Sequence, residues 1–395
     1  MRVALLNLLG SNAASQLLIV ASTPLLTRVH DQGTFGAFGV ATIAALLGAT
    51  LLSFRLEQSF HVRPDAAKTL LHASLTLIAT LSTLVGLPLA ALAATRVGID
   101  AFAALVFAAA LATTVCVLTY LNLQRRFRTI AALALTTPIV FIGGALLVPE
   151  PPGGGNALLF WQAAGYLASA LAGLATQRGE LAFLGRRVLL RAVGTSRDDL
   201  RYLVPSYLLS ILSLNMSVAG AAWLFDEQVA GLVVIAQRVA RAPVTVLGNS
   251  LNEVLRADIP TRTEIPRTFR TIVALCLATS TLMLACVWLV PEEAYALALG
   301  SGWEGLRAVL AITVVAACFQ LVATSVASLL TAFRKRTDFV VNAALFVAGI
   351  IALGTSAALG SDAVGYLWLH SILVALVYTV AFFQCRAVAR EQSSN

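Results

Sequence analysis

No aspartate or glutamate falls in the middle of any long apolar run of this sequence, although the chain carries 19 acidic residues. Lysine is nearly absent too: of 27 basic residues only Lys68 and Lys335 are not arginine. Charge of either sign makes up 12% of the chain, about half the share of an ordinary soluble domain. The five cysteines, Cys116, Cys276, Cys286, Cys318 and Cys385, form no CxxC pair and no Cys/His cluster. They read as small apolar packing residues, and no metal, cofactor or catalytic residue is assigned. A Walker-type phosphate loop is also missing, so ATP hydrolysis by this chain is not expected.

What fills the chain instead is hydrocarbon. Hydrophobic residues make up 59% and the mean hydropathy is +0.86. Apolar runs long enough to cross about 30 Å of bilayer core recur from end to end. The expected fold is an all-α polytopic membrane protein with twelve spans. They lie at 3–26, 34–53, 69–91, 99–121, 130–148, 157–176, 202–224, 229–252, 270–290, 307–332, 339–359 and 364–385. The opening "MRVALLNLLGSNAASQLL" resembles a secretory signal, but its apolar pattern continues to Leu26, which makes it an uncleaved first span.

The arginines test this division. With the N-terminus inside, alternate loops and the two tails collect twenty-two of the 27 basic residues, with "QRRFR" at 124–128 and "FRKR" at 333–336 among them. The opposite loops keep only Arg28, Arg96 and Arg307. The positive-inside rule therefore puts both termini in the cytoplasm. The net charge of +8 is a topology signal: it is dispersed over loops without interleaved aromatics, and nucleic acid is not an expected partner. The longest inside loop, 177–201, reads either as a short basic helix on the anionic leaflet or as a solvated linker.

A shift of 195 residues overlays the start of the chain on its middle without gaps. Ser11 falls on Ser206, Ser15 on Ser210, Ser22 on Ser217, Asp31 on Asp226 and Gly36 on Gly231. This argues for two six-helix bundles, 1–176 and 202–395, joined by the basic linker 177–201. The overlaid serines form stripes. Ser206, Ser210, Ser213 and Ser217 share one face of the seventh span, with Asn215 nearby. Asn7, Ser11, Ser15 and Ser22 do the same in the first, with Asn12 and Gln16 beside them, and Gln320, Thr324 and Ser328 form a shorter stripe in the tenth. Such stripes serve close helix packing or line a polar cavity.

Two arginines remain, and they lie inside a span. In "GLVVIAQRVARAPVTVLGN", Arg238 sits near the bilayer midplane and Arg241 one turn on, before Pro243. A charge at that depth costs from about 2.5 kcal/mol upwards. Glu253 stands at the end of the same span, about fifteen residues from Arg238. A membrane cation without a resident anion points to a cavity and an incoming anion, for which phosphate-bearing cargo suits arginine's bidentate geometry. His72 and His370 also fall in spans, as packed or as titrating groups.

Several segments carry a family resemblance: "TPLLTRVHDQGTFGAFGVATIAALL" (23–47), "FRLEQSFHVRPDAAKTL" (54–70), "YLNLQRRFRTIA" (120–131), "VGTSRDDLRYLVPSYLLSILS" (193–213), "GLVVIAQRVARAPVTVLGNSLNEVL" (231–255) and "LGSGWEG" (299–305). They resemble the Wzx-like lipopolysaccharide and polysaccharide (O-antigen) flippases of the MOP exporter superfamily. The resemblance implies a V-shaped pair of six-helix bundles around a cationic cavity that opens alternately inward and outward. It also implies a substrate, an undecaprenyl-pyrophosphate-linked oligosaccharide moved from the cytoplasmic to the periplasmic leaflet. Arg28, Arg55 and Arg238 match recurring basic positions, with Arg241 less regular. The expected substrate contacts are these four with Ser11, Ser15, Ser206, Ser210, Ser213, Asn215 and Gln320. Expected partners are the lipid-linked oligosaccharide, the bilayer and the polymerase or ligase of polysaccharide assembly.

Other readings stay open at this point. A MATE-like multidrug antiporter would share the fold but usually carries a membrane carboxylate. A polyprenyl-dependent glycosyltransferase or polymerase would need larger outer loops with acids placed across a site, and the chain is not expected to be an enzyme. A non-transporting scaffold of the assembly complex is the last.

Overall fold

The structure is a computed structural model. It describes the chain apart from residues 1, 59, 61–63, 90, 92–99, 150–154, 178–193, 195–196, 259–264, 301 and 395. Within helices it leaves undescribed the side chains of 2–12, 64, 197–200, 203, 253, 256–258 and 392–394. The segment 177–201, expected as a surface helix or a solvated linker, thus lies for the most part outside the described residues.

Every described element is helical. In chain order they are α1 (Arg2–Val29), α2 (Gln32–Ser53), α3 (Ala67–Leu81), α4 (Asp100–Leu123), α5 (Phe127–Leu147) and α6 (Ala157–Ala175). Then come α7 (Arg197–Leu224), α8 (Glu227–Pro243), α9 (Ile265–Leu289), α10 (Leu306–Val326), α11 (Lys335–Leu359) and α12 (Ala363–Ser394). Among the described residues eleven helices are long and apolar enough to cross a membrane, and α1 adds the apolar stretch Ala13–Val29. Each of the twelve expected spans therefore has its helix, in an all-α polytopic membrane fold. The outward surface agrees: Leu147, Leu289 and Leu359 are 83%, 80% and 74% exposed at the ends of α5, α9 and α11. Exposure of that kind suits lipid and not water.

Two helices change pitch. After Pro243, which cannot donate to the helix ladder, α8 passes through a π turn (Val244–Gly248) before continuing as Asn249–Asp258. α3 has a second π turn at Ser82–Gly86. The loop after α9 is partly a short helix, Glu292–Leu299.

The chain divides into two compact units, residues 1–22 with 37–211 and residues 23–36 with 212–395. In the first, α4 packs on α6 and α3, and α5 on α6. Val117 and Leu121 of α4 close a core with Ile130 and Leu133 of α5. In the second, α10 packs on α12, α9 and α8, and α11 on α12. The second unit thus repeats, six helices later, the pairings of the first.

Positions matched by the 195-residue shift meet inside the second unit. Asp31 and Asp226 each cap a helix: Thr34 N donates to Asp31 Oδ1 at 2.8 Å, and Val229 N to Asp226 Oδ1 at 2.7 Å. The Thr34 backbone bond holds the Asp31 carboxyl below its ordinary range. The helices then cross backbone to backbone. A Cβ placed on Gly36 would lie 1.9 Å from the Glu227 carbonyl oxygen, and one on Gly231 would lie 2.0 Å from that of Gln32. Residues 32 and 36 fall on 227 and 231 under the 195-residue shift, so each repeat presents the same glycine to the same carbonyl of the other. Small residues allow this approach in a medium where helices have no hydrophobic drive to pack.

Candidate functional site

The motif "LTRVHDQGTFG" and the glycine loop "LGSGWEG" meet at this crossing. Trp303 is buried, donates its indole N–H to the Thr27 carbonyl at 3.1 Å, and meets Phe35 edge to face at 5.5 Å. Gln32 donates to the Gly302 carbonyl, and Arg28 donates to the Leu297 carbonyl at 2.9 Å. Gly300, Gly302 and Gly305 all have left-handed φ values, which lets this loop fold over the α1–α2 turn. Arg28 is exposed and belongs to this clasp.

Arg238 and Arg241 take different places in the second unit. The Arg238 guanidinium carbon lies 5.8 Å from the centre of the Phe35 ring, a cation–π distance. Arg241, one turn further along α8, donates to the Leu214 carbonyl of α7 and lines a cavity within the unit. Ser213 and Ser217 of α7 and Gln320 of α10 also line it, so Arg241, Ser213 and Gln320 are the expected site residues that the fold brings together.

Sequence reasoning placed Ser217 on a polar stripe and read His370 as a packed or titrating group, but did not single out Gln237, Ser371 or Tyr378. Gln237 donates to Ser217 Oγ at 2.5 Å, and α12 contributes His370, Ser371 and Tyr378. His370 is 7% exposed, and its Nε2 meets no hydrogen-bond partner among the described residues. The signal was present in α12: His370, Val374 and Tyr378 recur at helical spacing in an otherwise apolar run. Among the described residues the cavity lining holds no carboxylate.

Arg55 sits in the first unit and has the acid that the spans lack. Phe54 and Arg55 both adopt left-handed φ, at 48° and 54°, which swings the chain off the end of α2 and folds Glu57 inward. Arg55 Nη1 lies 3.0 Å from Glu57 Oε1, and its guanidinium stacks 3.7 Å from the Tyr207 ring centre. Glu57 is 1% exposed, with Cys116 Sγ 3.9 Å from its Oε2. Burial pushes the Glu57 carboxyl up, and Arg55 opposes this only in part. The folded chain therefore binds this proton more tightly than the unfolded one does. That contribution is complete below the ordinary value of 4.5 and is lost as pH rises through the raised value. In Glu57→Gln, the melting midpoint relative to wild type is expected to rise in the variant's favour between pH 4.5 and neutrality, as read by intrinsic fluorescence in detergent.

The other expected contacts are scattered. Ser206 is buried and Ser210 half-buried in the first unit, where Ser15 is also half-buried. Asn215 is half-buried in the second, and the Ser11 side chain lies outside the described residues. The stripe of α7 is thus divided between the units, with Ser206 and Ser210 in one and Ser213 and Ser217 in the other.

Solved structures share this architecture. One is an inward-facing multidrug resistance MATE family transporter of the MOP superfamily, 12% identical, with a TM-score of 0.56 over 96% of each chain. Another is the lipid II flippase MurJ in an inward closed conformation, 12% identical, with a TM-score of 0.59 over 95% of this chain and 90% of that one. A third is MATE in complex with MaD3S, 13% identical, with a TM-score of 0.57 over 99% and 97%. No family model matches the chain, and no curated protein sequence matches it. At these identities the likeness is one of fold: the chain shares the helical architecture of these transporters.

Proposed function

We propose that this protein is a MOP-type flippase that moves an undecaprenyl-pyrophosphate-linked oligosaccharide from the cytoplasmic to the outer leaflet of a bacterial inner membrane, with both termini in the cytoplasm. The observation that carries this reading is the sign of the charge within the spans. Arg238 lies inside α8, and no acidic residue falls in the middle of any long apolar run of the chain. A cationic interior favours an anionic cargo, and a pyrophosphate accepts paired guanidinium hydrogen bonds. Arg238 is assigned to the pyrophosphate, with Arg55 and Arg28 as secondary basic positions and the serine stripes hydrating the sugars. The polyprenyl tail stays in lipid, where its burial needs no protein pocket.

The fold is shared with MATE transporters, which makes drug antiport the competing activity. The test is exchange of a fluorescent pyrophosphate-linked oligosaccharide between leaflets of proteoliposomes, run beside drug resistance of overexpressing cells. Exchange above protein-free vesicles without drug resistance supports the flippase. Resistance to cationic drugs without lipid exchange assigns the protein to the antiporters instead.

A further inference from the structure

The cavity inside the second unit is too small for the proposed cargo. It has room for roughly three waters, or one small ion with a water, whereas a pyrophosphate alone has nine heavy atoms. Its walls are nonetheless polar on four sides. α7 supplies Ser213 and Ser217, α8 Gln237 and Arg241, α10 Gln320 and α12 His370. Water would satisfy hydroxyls and amides here but would leave the Arg241 charge without a counter-ion, since no carboxylate among the described residues lines the space. The second observation is the orphaned Nε2 of His370, more than nine-tenths buried in that wall. A buried imidazole nitrogen without a partner is costly unless something in the cavity meets it.

We propose that this cavity is a binding site for one small monovalent inorganic anion of halide size, held by the Arg241 guanidinium and met by His370 Nε2–H and the Gln320 amide. A cation is disfavoured by the charge already present and by the absence of any anionic ligand. The anion neutralises Arg241 inside the unit and joins α8, α10 and α12 through one central acceptor. This makes Arg241 a resident-ion ligand, distinct from the role proposed for Arg238, and it does not depend on the flippase reading.

The test needs no lipid substrate. Purified full-length protein in detergent is exchanged into sodium gluconate, whose anion does not fit the cavity, and titrated with chloride or bromide at constant ionic strength. Expected is a saturable rise in melting midpoint as the ion binds the folded state, unchanged when potassium replaces sodium. Bound ³⁶Cl should reach one per chain and be displaced by bromide and nitrate but not by phosphate or pyrophosphate. In Arg241→Gln the affinity should fall at least about tenfold, the loss of a charge-assisted bond. His370→Phe, which keeps ring bulk, should weaken binding while still folding. Anomalous diffraction from bromide-grown crystals of the wild type places the ion independently of any variant. The proposal is overturned by a midpoint indifferent to halide, by competition from pyrophosphate, or by undiminished binding in Arg241→Gln. Dependence on the cation, or a bromide peak elsewhere, also overturns it.

Discussion

Gly231→Ala, a single added methyl group, is expected to cost this protein most of its folded yield. The new Cβ would stand 2.0 Å from the Gln32 carbonyl oxygen, and the obstacle is backbone, so no side-chain rotation relieves it. Ordinary overpacking costs about 1–3 kcal/mol because neighbouring side chains give way. Here the first turns of α2 and α8 must part by more than an ångström. That would pull on the Trp303 indole bond to Thr27 and on its edge contact with Phe35. The expected loss is therefore at or beyond the top of that range. Gly36→Ala should behave alike, since its Cβ would lie 1.9 Å from the Glu227 carbonyl. The double variant should be less damaging than the two singles added together, because one separation of the helices relieves both contacts. Fluorescence-detected gel filtration and melting midpoints in detergent measure all three. If Gly231→Ala and Gly36→Ala melt within a degree or two of wild type, the helices do not cross this closely.

Much of this was legible in the sequence, for identifiable reasons. The spans were legible because lipid demands long uninterrupted apolar helices, a constraint stronger than any local propensity. The caps and the crossing were legible at Asp31/Asp226 and Gly36/Gly231 because a helix cap and a backbone crossing each tolerate few residue types. The cluster around Arg55 was not. Glu57 follows a span and reads as an ordinary loop acid, and only the left-handed pair Phe54–Arg55 turns it inward. Neither residue is a glycine, so the sequence carries no sign of that turn. The second-unit cavity was half legible. Ser213, Arg241, Gln320 and His370 stood out as polar residues in apolar runs, whereas Tyr378 and Gln237 look like core residues until the helices are assembled. Arg28 shows the opposite difficulty: a recurring basic residue of the motif is engaged here with the Leu297 carbonyl.

Arg238 separates folding from function most sharply. Phe35 is the aromatic partner within cation–π distance of its guanidinium, an attraction worth about 2 kcal/mol when desolvated. A charge at a span centre costs about 2.5–3.5 kcal/mol on the insertion scale. These two contributions of the charge nearly cancel each other. Arg238→Gln is accordingly expected to melt at or slightly above the wild-type temperature. Leaflet exchange of a pyrophosphate-linked oligosaccharide should nevertheless fall by roughly 10–100-fold, since a lost charge-assisted hydrogen bond is worth about 1.5–3 kcal/mol. Arg238→Lys should retain part of the rate, because a point charge attracts the pyrophosphate without offering it paired donors. That graded order, with stability level across the series, is the signature of a charge that acts on the cargo. Equal exchange rates in all three proteins would remove Arg238 from the cargo path. A collapse of stability in Arg238→Gln would instead make its contact with Phe35 part of the scaffold, and the search for the pyrophosphate anchor would pass to Arg55.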